Sequence, residues 1–262
     1  MSYASLPDDG EVMLAGVHLP AGQRVSGFTG DVLAWATDEP VREAGAAWFT
    51  LSAAHRQTGL IPVVLAGLDG DTSRPWDNGE FDAPYDVTQL DQLPAERVLA
   101  ACWAGALEDD GAGDDRAGAG LAPFGRRFPG LAAPETAALG AEQLRTAVDA
   151  IGPARIGLVP AGRPADVLPR LGWSGVVNWF DSPLPVAAVL RSWEDRFGAR
   201  LLEVGFADIK LLVERPPRSL AAAEQIAAEH YVFCDECGAA LTGIRSIAAS
   251  LVSAPVWSFW WD

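Results

Sequence analysis

A chain of 262 residues is long enough for one large domain or two modest ones, and 49% hydrophobic with 21% charged content is typical of a globular protein. The 19 basic and 35 acidic residues give a formal net charge of -16, so nucleic-acid phosphates and anionic lipid should repel it. No stretch approaches the roughly 18 consecutive apolar residues of a membrane span. We therefore expect a protein that binds neither nucleic acid nor membrane.

The cysteine content favours a reducing compartment. Three cysteines, Cys102, Cys234 and Cys237, are an odd number, and the first residues lack the basic and apolar segments of a secretory leader. We expect a cytoplasmic protein with reduced thiols.

The first part of the chain is acidic and rich in predicted strands. Residues 1–150 carry 23 acidic and 9 basic side chains, whereas residues 151–262 carry 12 and 10. Short apolar runs separated by Gly, Pro and Asp predict strands at residues 11–19, 31–36, 47–51 and 60–68. A one-sided apolar stripe predicts a helix over residues 95–107, which places Cys102 in the core. We interpret residues 1–107 as a strand-rich acidic N-terminal region.

Residues 108–130 combine acidic residues with repeated glycine and have no apolar periodicity, which is typical of a flexible linker. The remainder, residues 131–262, predicts a C-terminal domain. Its predicted elements in chain order are a helix over 141–151, a strand over 155–159, a short helix over 164–171, a strand over 175–180, a helix between Pro183 and Gly198, a hairpin of strands 200–206 and 209–214, a helix from the Ser219 cap to about 233, a helix near 244–252 and a terminal strand.

The alternation of predicted helices and strands over residues 131–262 predicts an α+β (mixed α/β) fold. We expect a C-terminal mixed sheet that contains an antiparallel hairpin and is packed by amphipathic helices. In the terminal strand, Trp257, Phe259 and Trp261 share one face and Trp260 lies on the other. We assign the first face to the core. Trp260, one of ten tryptophans in the chain, is a candidate contact for a partner.

Several of these segments also occur as linked motifs. They are Leu158-Val159-Pro160-Ala161, the run Leu-Arg-Ser-Trp-Glu-Asp-Arg-Phe-Gly-Ala over residues 190–199, the Pro216-Pro217 break, the helix end around His230 and Cys234, and the terminal Trp-x-Phe-Trp-Trp-Asp. Together they resemble the C-terminal domain of an uncharacterised bacterial family, a domain of unknown function common in actinobacteria. The resemblance covers roughly residues 155–262 and implies no catalytic residues.

His230, Cys234 and Cys237 form the pattern His-x3-Cys-x2-Cys, and a Cys-x2-Cys pair has the spacing of zinc ligands. A fourth ligand is lacking, so zinc is an alternative and the expected cofactor content is none. His230 and Cys234, four residues apart on a helix, also fit a thiol nucleophile activated by an imidazole. The other interpretation places both in the packed core or at a capped helix end.

An acidic turn covers residues 69–80, and its Asp69, Asp71, Trp76, Asp77 and Glu80 are candidates for partner contact. The oxygen spacing is similar to a calcium loop, but the sixth position holds Arg74 where the sharp turn needs glycine. A solvated turn with Trp76 anchored on the protein is the other interpretation.

The chain contains none of the dinucleotide, P-loop, zincin or nucleophile-elbow motifs, so we lean away from an enzyme. The leading hypothesis is a non-enzymatic cytoplasmic interaction protein, immunity-like or regulatory, that binds a basic protein partner. The alternative is a metal-assisted or thiol-dependent enzyme centred on His230, Cys234 and Cys237.

Overall fold

Eight strands form one continuous sheet in the computed structural model, which describes residues 4–109, 120–234 and 239–261. The strands are β1 (Gly10–Leu14), β2 (Val17–Ser26), β3 (Val32–Thr37), β4 (Leu60–Leu65), β5 (Ile156–Pro160), β6 (Ala199–Val204), β7 (Asp208–Val213) and β8 (Val256–Trp260). Their order across the sheet is β1-β2-β3-β5-β4-β6-β7-β8. All neighbours are antiparallel except β4 and β6, so the sheet is mixed, and the α+β class is confirmed.

Helices connect and cover these strands. They are α1 (Ala44–Ala53), α2 (His55–Thr58), α3 (Ser73–Trp76), α4 (Ala95–Asp109), α5 (Ala141–Asp149), α6 (Val167–Leu171), α7 (Leu184–Phe197), α8 (Leu220–Phe233) and α9 (Ala239–Leu251), with 3-10 helices at Val87–Gln92 and Pro164–Asp166. Within the described ranges, none of the helices has the length and apolar character needed to cross a membrane.

Strand β5 connects the two regions that the sequence suggested. It lies between β3 and β4, so strands from residues 1–107 and from residues 131–262 share one sheet. The predicted linker boundary at 108–130 therefore does not divide the sheet. Residues 110–119 of that linker lie outside the described residues.

Both faces of the sheet are covered. In β4, Ile61 and Val63 join the larger core cluster, whereas Leu60 and Val64 join a second cluster, because successive side chains of a strand point to opposite faces. Helices α4, α7 and α8 contribute to the first cluster, and α1 and α5 to the second. A sheet buried on both faces explains why β4 and β5 are apolar throughout rather than alternating.

The strongest local signals are confirmed. Helix α7 begins after Pro183 and ends at Gly198, whose φ of 63° is the left-handed conformation that glycine adopts most easily. Strands β6 and β7 form the predicted antiparallel hairpin. Ser219 caps α8, since its side chain accepts a hydrogen bond from the Ala222 N–H at 3.2 Å.

Two predicted strands are wrong. Residues 47–51 lie inside α1, where Ala44, Ala47, Trp48 and Leu51 are buried at helical spacing in a segment rich in alanine, the best helix former. Residues 175–180 form turns, because the N–H groups of Trp179 and Phe180 both donate to the Val176 carbonyl.

Strand β8 is a sheet edge, and its two faces differ as predicted. Trp257, Phe259 and Trp261 are buried, whereas Trp260 is 46% exposed. The aromatic face closes the core, and Trp260 remains at the surface.

Candidate functional site

His230 lies on the buried face of α8, inside an aromatic cluster. Its ring centroid is 4.8 Å from that of Trp193, 4.6 Å from Trp257 and 4.8 Å from Phe259. Within the described ranges its Nε2 atom has no hydrogen-bond partner. Burial, with a smaller contribution from the Arg196 charge, lowers the pKa of His230 to about 3. The imidazole is therefore neutral at ordinary pH, and the core interpretation of this residue is confirmed.

Cys234 ends α8 and is fully buried and disulfide-bonded, so the expectation of reduced thiols is wrong for this residue. Its sulfur accepts a hydrogen bond from the Trp260 N–H at 3.3 Å. In this state it offers no thiolate for metal or substrate, since a disulfide sulfur is neither a strong ligand nor a nucleophile. Cys237, the third member of the predicted pattern, lies outside the described residues. In the parts of the chain that are described, no group of three or more His, Cys, Asp or Glu side chains could hold a metal ion.

Cys102 is half-buried on α4 and packs against the core. Burial raises the pKa of its thiol to about 11, which makes the thiolate scarce at neutral pH.

Next to His230, a buried carboxylate organises a network that spans three segments. Glu229 is completely buried, and its two oxygens accept hydrogen bonds of 2.7 Å from Arg196 Nη1 and Nη2. The Trp193 indole N–H and the Ala132 backbone N–H donate to the same carboxylate, both at 2.7 Å. All donors complement a charged acceptor, so this pair is a structural tie between α7, α8 and residue 132.

In the acidic turn at residues 69–80, Trp76 and Asp77 form hydrogen bonds that hold the turn against the rest of the protein. Trp76 is buried, and its indole N–H donates to the carbonyls of Ala66 and Val204 at 3.1 and 3.2 Å. Asp77 accepts two hydrogen bonds from Arg155, at 2.8 and 2.9 Å. Trp76 is thus anchored on the protein, as one interpretation of the sequence expected.

The remaining acidic residues of this turn differ in their contacts. Glu80 forms an ion pair of 2.7 Å with Arg74. Asp71 is exposed and accepts a hydrogen bond from the Ser73 N–H, which lowers the pKa of its carboxyl. Asp69 is exposed, and its φ of 52° is the left-handed conformation that Asp tolerates better than most residues.

Asp69 and Trp260, two of the predicted contact residues, line the same cavity. We call it the Trp260 cleft; it has a volume of about 370 Å³, and its lining includes Leu68, Asp69, Val177, Asn178, Asp208 and Trp260. Leu68, Val177 and Trp260 are all among the exposed large apolar residues, at 37%, 70% and 46%. Large exposed apolar side chains that gather at one cleft are typical of a contact surface.

Asp208 is the residue of this cleft that sequence reasoning missed. In the described residues its carboxylate neither accepts a hydrogen bond nor forms an ion pair, whereas the neighbouring Glu203 pairs with Lys210 at 2.6 Å. Burial raises the pKa of Asp208, the Glu203 charge raises it further, and Lys210 opposes both. A half-buried carboxylate without a direct ion pair is a favourable site for an incoming cation.

A second cavity, of about 550 Å³, lies where β5 ends, between residues 84–91 and helices α6 and α7. We call it the arginine pocket; its lining includes Tyr85, Asp86, Asp91, Arg163, Arg170 and Arg191. No motif pointed to it, because its charged groups come from four separate segments.

The protein is therefore of the mixed α+β class. It has two open clefts, and each is lined by residues from before and after position 155. Residues 155–262 match the family model described as a domain of unknown function (DUF4253), which confirms the resemblance for that part of the chain. The matched part contains β5 to β8 and α6 to α9, whereas β1 to β4 of the same sheet precede it. No curated protein and no solved structure matches the chain.

Proposed function

We propose that this protein is a non-enzymatic recognition protein that binds a basic protein partner, and that a cationic side chain of the partner enters the Trp260 cleft. The observation that carries the proposal is the Asp208 carboxylate, which is half-buried and, in the described part of the chain, forms no direct ion pair. A lysine or arginine of the partner placed beside it would form that ion pair. Asp69, at the rim, adds a second carboxylate.

The apolar lining of the cleft supports the same occupant. A guanidinium or ammonium group can lie over the exposed Trp260 ring, a contact worth roughly 0.5–2 kcal/mol depending on desolvation. Leu68 and Val177 can bury the aliphatic stem of the same side chain. An exposed tryptophan beside carboxylates has the composition of an interaction hot spot.

The net charge of -16 favours a basic partner over an acidic one, because long-range attraction accelerates encounter with an oppositely charged surface. An immunity-like or regulatory protein works in this way, by covering the cationic site of a toxin or an enzyme. A cytoplasmic location belongs to the same proposal; reducing conditions there would open the Cys234 disulfide, but Cys234 is not among the residues lining the cleft. The enzyme alternative has less support, because His230 is neutral in an apolar cluster and Cys234 is fully buried.

Replacing Trp260 by alanine should weaken binding by about 30-fold, the effect of losing a hot-spot side chain worth about 2 kcal/mol. Asp69→Asn with Asp208→Asn should weaken binding by about tenfold and reduce its salt dependence. The measurement captures partners from host extract at low salt with each immobilised variant, followed by titration of the purified partner. A second titration adds Nα-acetyl-argininamide and follows the indole N–H resonance of Trp260.

Matched controls are available outside the cleft, at the ends of strands β2 and β3. Phe28→Ala removes an aromatic ring that is 84% exposed, and Asp38→Asn with Glu39→Gln removes two exposed negative charges. Both should bind like the wild type. A partner that is acidic, or one that binds the cleft variants and the controls equally well, would contradict the proposal.

The pH dependence of binding should identify Asp208. Because its pKa is raised, the carboxylate becomes protonated at a higher pH than an exposed aspartate, and affinity for a cation should fall as pH falls through that value. A raised pKa also means that folding disfavours the ionised form, so the Asp208 carboxylate destabilises the fold at neutral pH.

We therefore expect Asp208→Asn to raise the melting temperature by about 2 °C at neutral pH while it weakens binding. The gain should vanish at acid pH below the unfolded-state pKa, where the carboxyl is protonated in both states. Scanning calorimetry measures this, with Asp38→Asn as the control. A lower melting temperature at neutral pH would show that Asp208 serves the fold rather than a ligand.

A further inference from the structure

The arginine pocket carries three guanidinium groups in one cavity of about 550 Å³, a volume within the range of small-molecule sites. Arg163 precedes the 3-10 helix Pro164–Asp166, Arg170 lies on α6 and Arg191 on α7. The opposite wall comes from residues 84–91. None of these residues lines the Trp260 cleft, so the inference that follows is independent of the proposed function.

The guanidinium groups are held in position by neighbouring acceptors. Arg191 Nε donates to the buried Asp166 at 2.7 Å, and Arg163 donates to Glu194 at 3.3 Å and to Asp195 at 2.6 Å. Arg170 Nε donates to the Pro160 carbonyl at 3.4 Å. An arginine fixed in this way loses little further side-chain entropy when it binds an anion.

Donor capacity remains after these contacts. A guanidinium has five N–H groups, and within the described ranges Arg163 Nη1 and Arg191 Nη2 donate to no protein acceptor. The Tyr85 hydroxyl, which also lines the cavity, has no protein partner among those residues either. These groups can donate to an anion bound between them.

The acidic residues of the pocket do not block such a ligand. Asp166 is occupied by Arg191, and Asp86 accepts hydrogen bonds from the Thr88 N–H and hydroxyl at 3.0 and 2.8 Å. Asp91 contacts Arg191 Nη1 at only 3.4 Å, and its side chain is 77% exposed. A loose, exposed carboxylate on a well-held arginine can be displaced by a ligand anion.

We propose that the arginine pocket binds a small organic anion, a carboxylate or a phosphate monoester, whose charged group replaces Asp91 on Arg191. The side chains of Tyr85 and Val87 give the cavity an apolar wall, so the ligand carries a compact apolar or aromatic part beside its anionic group. Carboxylate and phosphate share the bidentate geometry that guanidinium groups recognise.

The test titrates the purified protein with benzoate, phenyl phosphate and, as the neutral probe, benzyl alcohol, by calorimetry and by ligand-observed NMR. We expect both anions to bind and benzyl alcohol not to bind at about 10 mM, a concentration that detects even millimolar dissociation constants. Tighter binding of phenyl phosphate than benzoate assigns the site to phosphate esters, and the reverse assigns it to carboxylates. Failure of both anions, or equal binding of benzyl alcohol, overturns the proposal.

Variants separate binding from a purely structural role. Arg191→Gln should weaken anion binding at least tenfold, and Tyr85→Phe about threefold, as loss of charged and neutral hydrogen bonds predicts. Asp91→Asn removes the competing carboxylate and should tighten binding about threefold or more. Glu39→Gln makes the same change in net charge elsewhere and should leave affinity unchanged.

The Asp91 variant keeps the proposal falsifiable if Arg191→Gln fails to fold, because Asp91 is exposed and the change is conservative. If the arginines only hold helices together, removal of Asp91 would leave anion binding unchanged or weaker. Either of those results would overturn the proposal.

Discussion

Replacing Arg196 by alanine should lower the free energy of unfolding by about 3–5 kcal/mol, because it leaves the fully buried Glu229 carboxylate without its counter-charge. The Trp193 and Ala132 N–H groups would remain as donors but cannot neutralise the charge. Urea unfolding followed by circular dichroism measures the change.

A double variant that also removes the Glu229 charge provides the control. Arg196→Met combined with Glu229→Leu removes both charges and should recover much of the loss, since a buried pair replaced by apolar groups is often neutral. Arg218→Ala, which removes an exposed arginine bonded to the Ala138 carbonyl, should cost less than about 1 kcal/mol. A double variant that is less stable than Arg196→Ala would contradict this account.

Acidification should destabilise the protein through His230. Its pKa is lowered from 6.5 to about 3 in the folded state, so between those values the unfolded state binds a proton that the folded state does not. Stability contributed by the neutral imidazole is therefore complete above the unfolded pKa and is lost as pH falls below it. From about pH 7 to about pH 4 the loss should be on the order of 3 kcal/mol.

The measurement compares the wild type with His230→Phe over that pH range, because the two proteins differ only at this residue. The difference in unfolding free energy between the two should shift in favour of the phenylalanine variant as pH falls. Parallel curves for the wild type and His230→Phe would show that His230 is not a neutral core residue.

Local signals in the sequence predicted much of the C-terminal half. Pro183 marks the start of α7, because proline lacks the N–H group that a preceding helical turn would need. Gly198 marks its end, because glycine readily adopts a left-handed φ. Ser219 starts α8 by accepting from Ala222 N–H, three residues away. The alternation in β8 separated the buried Trp257 from the exposed Trp260, since successive side chains of a strand face opposite sides.

Both wrong strand predictions come from apolar residues whose surroundings the local sequence does not specify. Residues 47–51 are a short apolar run that fits a strand or a buried helix, and alternation alone cannot decide between them. At residues 175–180, apolar Val177 and Trp179 suggested a strand, but both are exposed beside or near the Trp260 cleft rather than in the sheet. An exposed apolar residue resembles a core residue in sequence.

The sequence by itself determined the α+β class, the caps of α7 and α8, the β6–β7 hairpin and the outward position of Trp260, because each depends on residues only a few positions apart. Only the tertiary structure decided that β5 lies between β3 and β4, and that Asp69, Asp208 and Trp260 meet in one cleft. It also decided which charges are paired: Glu229 pairs with Arg196 on another helix, whereas Lys210 pairs with Glu203 and Asp208 forms no direct ion pair in the described residues. Whether a charged side chain is paired depends on neighbours that the fold brings from distant segments, and no local sequence pattern contains that information.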